Sequence, residues 1–398
     1  RTMSNVKEVV VVDGVRTAVG DYGGSLKDIP AGDLAAKVIA EAVNRSGVEA
    51  ESVGACVLGN VVHGEARDMY ISRYASVTGG LPHSSQALTL NRLCGSGLQA
   101  IVSASQQIML GDTEVAVAGG VENMSRGGYL LPKARFGQYM GNGEIIDMMV
   151  GGLTDPFDSV HMGITAENVA AQWNVSRDDQ DALAVESHKR AARAIEEGRF
   201  KSQILPVELK TRRGVTVFDT DEHVRPDASL EGMAKLRTVF KKDGSVTAGN
   251  ASGINDGAAA VVLMERGAAE AKGLTPKARL VGYALAGLDP TIMGMGPVPA
   301  VNNVMERTGL KVSDMDVIEL NEAFASQALA CARDLEMDPE KVNPNGSGIG
   351  LGHPIGATGA ILTVKAIYEL QRTGGRYGLV SRCIGGGQGI AAIFENLQ

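Results

Sequence analysis

The sequence predicts an α/β fold with two duplicated halves, mostly parallel core sheets and an inserted loop domain. Three features indicate this fold. Short apolar runs alternate with segments of helical spacing, the same order of elements recurs in the last third of the chain, and the segment between the two copies differs in composition. With 398 residues, 44% of them hydrophobic, the chain can form more than one substantial core.

The first copy opens with four valines at residues 9–12, followed by Asp13 and Gly14. A continuous apolar run that meets a turn is typical of a buried strand in an α/β layer. Further helices are predicted at residues 31–43, 67–77 and 96–110, and further strands at residues 56–60, 87–90 and 115–120.

The second copy repeats this order, and its last strand ends in glycines as the corresponding strand of the first copy does. The shared order favours an internal duplication over chance similarity. Its strands are predicted at residues 278–282, 315–321 and 378–380, and its helix at 358–370. The predicted division is an N-terminal half at residues 3–121, an inserted loop domain at 122–246, a return to the N-terminal half at 247–274 and a C-terminal half at 275–398.

The insertion contains a segment, residues 124–143, that is rich in Gly, Arg, Tyr and Met and has no clear period, which predicts a long surface excursion. Amphipathic helices are predicted at residues 165–171 and 178–195. Between Arg199 and Lys242, ten basic residues stand against six acidic ones, although the whole chain has a formal net charge of −8. This positive region would suit a phosphate-bearing ligand, and a solvated charged face is the alternative.

The overall composition argues against several classes of protein. An acidic chain is a poor general partner for nucleic acid or an anionic membrane surface. Charged residues interrupt every apolar run well before the roughly 18 residues of a membrane span, and no signal-peptide pattern is present. The four cysteines show neither CxxC nor zinc-like spacing with histidine, which predicts reduced thiols and no metal site. We therefore expect a cytoplasmic protein.

Cys94, in the sequence NRLCGSG at residues 91–97, stands where a loop becomes a helix. The positive end of a helix dipole favours the thiolate, so this position predicts a reactive thiol. Gly95 and Gly97 would let a substrate carbonyl approach the sulfur. A packed core cysteine is the alternative.

The remaining cysteines divide into two kinds. Cys56 and Cys331 lie in apolar runs and are predicted to be inert, whereas Cys383 lies beside glycines. Polar, glycine-flanked stretches at residues 321–324, 345–359 and 383–389 each follow a predicted strand, and strand ends of this kind line ligand crevices. A glycine loop could also bind a dinucleotide in an NAD-dependent oxidoreductase, but no GxGxxG follows the first strand.

The motifs NRLCGSG, NEAF, NGSGIGLGHPIGATG and CIGGGQG, in this order and spacing, closely resemble those of the thiolase family. The resemblance runs from residue 9 to the C-terminus and is strongest to bacterial biosynthetic β-ketothiolases of the polyhydroxyalkanoate-forming kind. It implies an acetyl-CoA C-acyltransferase that condenses two acyl-CoAs reversibly to a 3-ketoacyl-CoA and CoA through an acyl-cysteine. Short products are expected, namely acetoacetyl-CoA and also 3-ketovaleryl-CoA. A degradative 3-ketoacyl-CoA thiolase of β-oxidation and a noncatalytic acyl-CoA or lipid carrier on this scaffold are the alternatives.

The resemblance also implies catalytic roles. Cys94 takes the acyl group, His353 removes or holds the proton of its sulfur, and Cys383 abstracts an α-proton from the second acyl-CoA. Two oxygens become negative at different steps, so two oxyanion holes are required. One is implied for His353 with a water held by Asn321, and the other for the backbone N–H groups of Cys94 and Gly385.

Coenzyme A enters as a substrate, and the resemblance implies no permanently bound cofactor. A homotetramer, a dimer of dimers, is implied as well, with residues 124–143 as its assembly loop. A helix cap is the alternative for His161, and a turn former is the alternative for Ser252. The implied contacts with coenzyme A and the acyl chain are Leu153, His161, Met162, Arg225, Phe240, Ala248, Ser252, Met293, Ala323 and Phe324.

One position departs from the family pattern. The residue before Cys383 is usually apolar or small in thiolases, whereas this chain has Arg382 there. Strand alternation predicts that Arg382 points away from the side of Cys383, so we expect activity to survive. A buried positive charge nearby would lower the pKa of the thiol or destabilise the strand.

Overall fold

The computed structural model describes residues 6–212 and 214–398, whose strands form one large sheet and two small ones. The strands are β1 (Val9–Thr17), β2 (Gly20–Asp21), β3 (Ala55–Gly59), β4 (Gln86–Leu90), β5 (Val115–Asn123), β6 (Tyr129–Leu130), β7 (Ile146–Asp147), β8 (Ile204–Leu205), β9 (Val207–Thr211), β10 (Gly214–Phe218), β11 (Asn255–Glu265), β12 (Ala278–Gly287), β13 (Val317–Leu320), β14 (Tyr377–Ile384) and β15 (Gln388–Asn396).

Helices cover the large sheet, and short 3₁₀ turns join several of them to strands. The helices are α1 (Ala31–Ser46), α2 (Ile71–Thr78), α3 (Ser96–Leu110), α4 (Met148–Gly152), α5 (Met162–Gln172), α6 (Arg177–Glu196), α7 (Leu230–Ala234), α8 (Arg266–Ala271), α9 (Pro297–Thr308), α10 (Ala325–Asp334), α11 (Gly348–Leu351) and α12 (Ile355–Thr373). The predicted α/β class is confirmed. No helix within the described ranges is both long and apolar enough to cross a bilayer.

The large sheet has the strand order β13-β14-β15-β12-β1-β11-β5-β3-β4. Parallel pairs lie towards its two ends, where β3 pairs with β4 and β5, and β13 with β14. The pairs across the centre, from β5 to β14, are antiparallel. Along this order, the expected parallel pairing therefore holds only for the outer strands, and β8 also pairs in parallel with the end of β1. One of the antiparallel pairs has a local cause, because β15 returns from β14 through a tight glycine turn and a hairpin reverses the strand direction.

Helices α3 and α12 pack together and bury apolar side chains against strands of both halves. Their first turns are very close. A Cβ atom on Gly359 would lie 2.3 Å from the backbone nitrogen of Leu98, and one on Gly97 would lie 2.7 Å from that of Ala360. Only glycine permits this approach. As a result, the loops that precede the two helices meet at one edge of the sheet.

The outer faces of the sheet are covered by α1 and α2 on one half and by α9 and α10 on the other. Residues 129–145 of the insertion are exposed, with a short β6–β7 pair at their base, as the predicted surface excursion requires. Helices α5 and α6 confirm the two predicted helices of the insertion.

Candidate active site

A cavity of about 490 Å³ opens where the loops before α3 and α12 meet the end of β14. Residues of both halves and of the insertion line it. Four of the five predicted catalytic positions contribute, namely Cys94, His353, Cys383 and Gly385. All ten predicted coenzyme A positions also line it: Leu153, His161, Met162, Arg225, Phe240, Ala248, Ser252, Met293, Ala323 and Phe324.

Cys94 lies in a short 3₁₀ turn, Leu93–Gly95, immediately before α3, and is half-buried. Leu93 holds a φ of 46°, a left-handed conformation that bulky residues rarely adopt and that is often found at functional sites. The Ser96 hydroxyl stabilises the turn, accepting from the Arg92 N–H at 2.9 Å and donating to the Leu93 carbonyl at 2.7 Å. The turn presents the sulfur to the cavity.

The predicted lowering of the Cys94 pKa is wrong for the free protein. Burial raises the pKa of the Cys94 thiol. The Arg382 charge and the backbone N–H groups of Gly385 and Cys94 lower this pKa, and the Glu122 carboxyl group raises it further. The loss of water around the buried thiol therefore outweighs the groups that favour the thiolate. The two N–H groups nevertheless face the sulfur, where an oxyanion would form.

Cys383, at the end of β14, is only 1% exposed and packs in an apolar cluster with Met162, Met293 and Phe324. Burial and the neighbouring Cys94 raise the pKa of its thiol to about 12, against the effect of Arg382. The glycines that follow it permit close packing, because a Cβ atom on Gly385 would lie 2.9 Å from the Met162 methyl group.

The hydrogen bonds around His353 determine its tautomer. Its Nδ1 lies 2.6 Å from the Thr358 hydroxyl, which itself donates to the Pro354 carbonyl at 2.9 Å. The hydroxyl must then accept from Nδ1–H, so the neutral ring has its lone pair on Nε2. Arg382 Nη2 is 3.3 Å from that Nε2. Burial, together with the Arg382 charge, lowers the pKa of His353 well below its usual value.

Asn321, the fifth predicted position, is not among the residues that line the cavity. It is fully buried at the end of β13, and both polar atoms of its side chain lack hydrogen-bond partners among the described residues. Its backbone N–H donates to the Ser381 carbonyl at 3.1 Å, next to β14. An unsatisfied buried amide of this kind is unusual and commonly has a functional reason.

An aromatic group forms one wall of the cavity. The rings of His161 and Phe240 stack at 4.5 Å with an interplanar angle of 15°, and Phe240 meets Phe324 edge-on at 6.3 Å. His161 also caps α5, because its Nδ1 accepts from the Gly163 N–H at 3.0 Å. The helix-cap interpretation of His161 is therefore confirmed, and its ring also lines the cavity. Burial lowers the pKa of His161 and favours the neutral ring.

Sequence reasoning missed a polar group at the cavity mouth. Asp21, Tyr22 and His223 line the cavity, and the Asp21 carboxylate contacts the His223 ring. Arg225, in the positive region, has Nη2 3.8 Å from Asp21 and donates its backbone N–H to His188 at 3.0 Å. No local motif marks Asp21 or His223, since they are brought together by pairing across some two hundred residues.

Comparison with known sequences matches two family models, the thiolase N-terminal domain over residues 9–267 and the thiolase C-terminal domain over residues 274–396. Beta-ketothiolase BktB of Cupriavidus necator is 62% identical over 392 residues, which cover 98% of this chain and 100% of the relative. The mitochondrial 3-ketoacyl-CoA thiolase of Mus musculus is 45% identical over 395 residues, 99% of this chain and 100% of the relative.

Solved structures agree with these sequence matches. The acetyl-CoA acetyltransferase of Bacillus anthracis superposes with a TM-score of 0.96 at 48% identity. The superposition covers 99% of this chain and 100% of the acetyltransferase chain. Human mitochondrial 3-ketoacyl-CoA thiolase in complex with CoA gives a TM-score of 0.95 at 42% identity, with 98% of each chain covered.

Proposed function

The chain belongs to the thiolase family, and from that premise we propose that it condenses two short acyl-CoAs reversibly to a 3-ketoacyl-CoA and free CoA. Membership of this family and its full-length relatives make it an acyltransferase, which sets aside the oxidoreductase alternative. The presence of Cys94, His353 and Cys383 in one cavity disfavours a noncatalytic carrier on the same scaffold. The observation that carries the proposal is that Cys94 and Cys383, from different halves of the chain, line one cavity together with His353.

In the first half-reaction, the Cys94 thiolate attacks the thioester carbonyl of one acyl-CoA. The CoA thiolate leaves, and the acyl group remains on the Cys94 sulfur. The backbone N–H groups of Cys94 and Gly385 donate to the oxygen that becomes negative, and their present orientation towards the sulfur supports this role.

The departing CoA thiolate takes the proton of the Cys383 thiol. In the second half-reaction, the Cys383 thiolate removes an α-proton from a second acyl-CoA, and the carbanion attacks the acyl group on Cys94. The carbon–carbon bond forms as the Cys94 thiolate leaves. His353, whose Nε2 faces the cavity, and a water held by Asn321 bind the enolate oxygen in this scheme. The unpartnered amide of Asn321 supports its part.

The cavity wall and mouth are proposed to hold coenzyme A. Phe240 and His161 offer an apolar stack for the pantetheine chain. Arg225, whose side chain is 63% exposed at the mouth, is suited to the phosphates of the nucleotide end. The other predicted contact positions complete this proposed site.

A short acyl range is part of the proposal. Met293 and Met162, 3% and 6% exposed, pack with Cys383 and limit the space beside it. The 62% identical beta-ketothiolase together with the 48% identical acetyl-CoA acetyltransferase favours the short-chain biosynthetic interpretation over the degradative one. Steady-state rates on acetoacetyl-CoA, 3-ketovaleryl-CoA and longer 3-ketoacyl-CoAs test this, and preference for the long substrates would contradict it.

Mass spectrometry of the intact protein after brief exposure to acetyl-CoA tests the central claim. We expect one added acetyl group, which peptide mapping assigns to Cys94. Cys94→Ala should abolish the adduct, whereas Cys56→Ala, in the buried strand β3, should retain it. An adduct elsewhere, or none, would contradict the assignment.

A homotetramer and a cytoplasmic location also belong to this proposal. Exposed apolar side chains of the segment at residues 129–145, such as Phe136 and Tyr139 at 84% and 86% exposure, suit an assembly surface. Light scattering on the purified protein would measure the mass, and a monomer would contradict the tetramer. Cell fractionation tests the location.

A further inference from the structure

Arg382 reaches the reaction centre from the face of β14 opposite to Cys383. Val380 and Ile384, which alternate with it, pack in the core around α3 and α12, whereas Cys383 packs in the cluster on the other face. The predicted alternation is therefore present. The loop that carries His353 lies on the Arg382 side, with Arg382 Nη2 3.3 Å from His353 Nε2, so the charge faces the reaction centre from there.

The charge of Arg382 has no acidic partner among the described residues. Its side chain is fully buried, and its Nε and Nη1 atoms make no hydrogen bond there. Two other cations are buried to a similar extent, and each has a carboxylate: Arg16 lies 2.8 Å from Asp221, and Lys365 lies 3.0 Å from Glu319. An unpaired buried cation is strongly destabilising. A negative charge that forms on a reacting group would therefore be the ion-pair partner of Arg382.

The Cys94 sulfur is the group that meets this requirement. Arg382 Nη2 contacts the His353 ring, which lines the same cavity as Cys94, and a negative charge on the Cys94 sulfur favours the charged guanidinium. Glu122 is the nearby carboxyl group, but the Val61, Val62 and Gly356 N–H groups and the Asn60 amide already donate to its oxygens. His353 offers Arg382 Nη2 only a neutral nitrogen.

We propose that the Arg382 guanidinium is the counter-ion of the Cys94 thiolate and a positioning residue for the imidazole of His353. This inference rests on the proposed function and assigns the ion pair to a residue outside the recognised motifs. His353 Nε2 takes the Cys94 proton and passes it to solvent, the thiolate attacks the acyl-CoA carbonyl, and the CoA thiolate leaves. One thiolate is consumed and one is released, so charge balances.

Several groups influence the titration of Cys94. Arg382 on β14 lowers its pKa, and Glu122 on β5 raises it. Burial raises the pKa of Glu122 to about 8, so much of that negative charge is absent at neutral pH. His353 is neutral, and Cys383 is protonated because the pKa of its thiol is about 12. Arg382 is therefore the dominant charge that faces the sulfur.

The test is the pH dependence of Cys94 alkylation by iodoacetamide in the full chain, mapped by mass spectrometry. An opposite charge within about 6 Å moves a pKa by about 1–3 units. Arg382→Met should therefore shift the midpoint upward by at least about one unit and slow alkylation at pH 7 about tenfold. Arg382→Lys should keep most of the shift, and His353→Asn should leave the midpoint near that of the parent.

An unchanged or lowered midpoint in Arg382→Met would overturn the proposal, as would a rise in His353→Asn equal to that in Arg382→Met. Thermal unfolding shows that each variant is folded, and Arg382→Gln replaces Arg382→Met if that variant fails to fold. Since the alkylation assay needs no acyl-CoA, its outcome is separate from the acetyl-adduct experiment. A parent protein that takes no acetyl group but shows the predicted shift would contradict the proposed function alone.

Discussion

The turn that carries Cys94 and the strand end that carries Cys383 line the same cavity, yet they give their thiols different surroundings. Cys94 is half-buried, with a guanidinium and two backbone N–H groups facing it. Cys383 is 1% exposed, among methionine and phenylalanine side chains. The difference shows how one residue type can serve two chemistries. In the first environment the guanidinium and the N–H groups offset part of the cost of burying the thiolate that attacks. The second keeps a thiol protonated until the departing CoA thiolate takes its proton and leaves a base for the substrate α-carbon.

The sharpest test of this difference removes each sulfur in turn. Cys94→Ala should abolish both acyl transfer and condensation, whereas Cys383→Ala should still form the acetyl adduct but lose condensation by at least about 10³-fold. Rapid-quench mass spectrometry and the rate of acetoacetyl-CoA formation measure the two steps. Cys331→Ala, a core cysteine, is the control for the loss of a thiol. Equal loss of the adduct in both variants would remove the distinction.

Chemical labelling compares the same two thiols without a mutation. At pH 8 iodoacetamide should modify Cys94 at least about tenfold faster than Cys383, whose thiol has a pKa of about 12 and is closed to solvent. Below that pKa the Cys383 rate should rise about tenfold per pH unit. Peptide mapping over pH 7 to 10 gives both rates. Faster labelling of Cys383 would reverse the comparison.

The contact between α3 and α12 positions the turn that carries Cys94 more directly than the strand end that carries Cys383. In Gly359→Ala the new methyl group would lie 2.3 Å from the Leu98 backbone nitrogen, so the helices must separate. We expect a loss of about 1–3 kcal/mol in the free energy of unfolding and a larger fall in acylation than in Cys383 labelling. Gly151→Ala is the matched control, because its added methyl group would meet no atom within 4 Å.

The smallest expected effect concerns the wall that both thiols share. Phe240→Ala removes the ring that stacks on His161, which should raise KM for acyl-CoA about tenfold and change kcat little. Phe157→Ala, at a ring that is 70% exposed, should leave both constants near those of the parent. A fall in kcat at constant KM would instead place Phe240 in the chemical steps.

Much of the fold and the chemistry could be predicted from local patterns. Apolar alternation located the helices and strands, and the glycine motifs marked the loops at which Cys94, His353 and Cys383 meet. The resemblance to thiolases supplied the ten positions that line the cavity. Asp21 and His223 were missed, because their contact joins β2 to the insertion and neither lies in a motif.

The sequence by itself determined which face of a strand each side chain occupies, because alternation is a property of the local backbone. It correctly separated Arg382 from Cys383. Tertiary structure alone decided which groups face Arg382. The glycine contacts between α3 and α12 bring the loops that carry Cys94 and His353 together at that face of β14. The antiparallel centre of the sheet and the raised pKa of Cys94 have the same origin, since strand direction and loss of water depend on the whole packed chain.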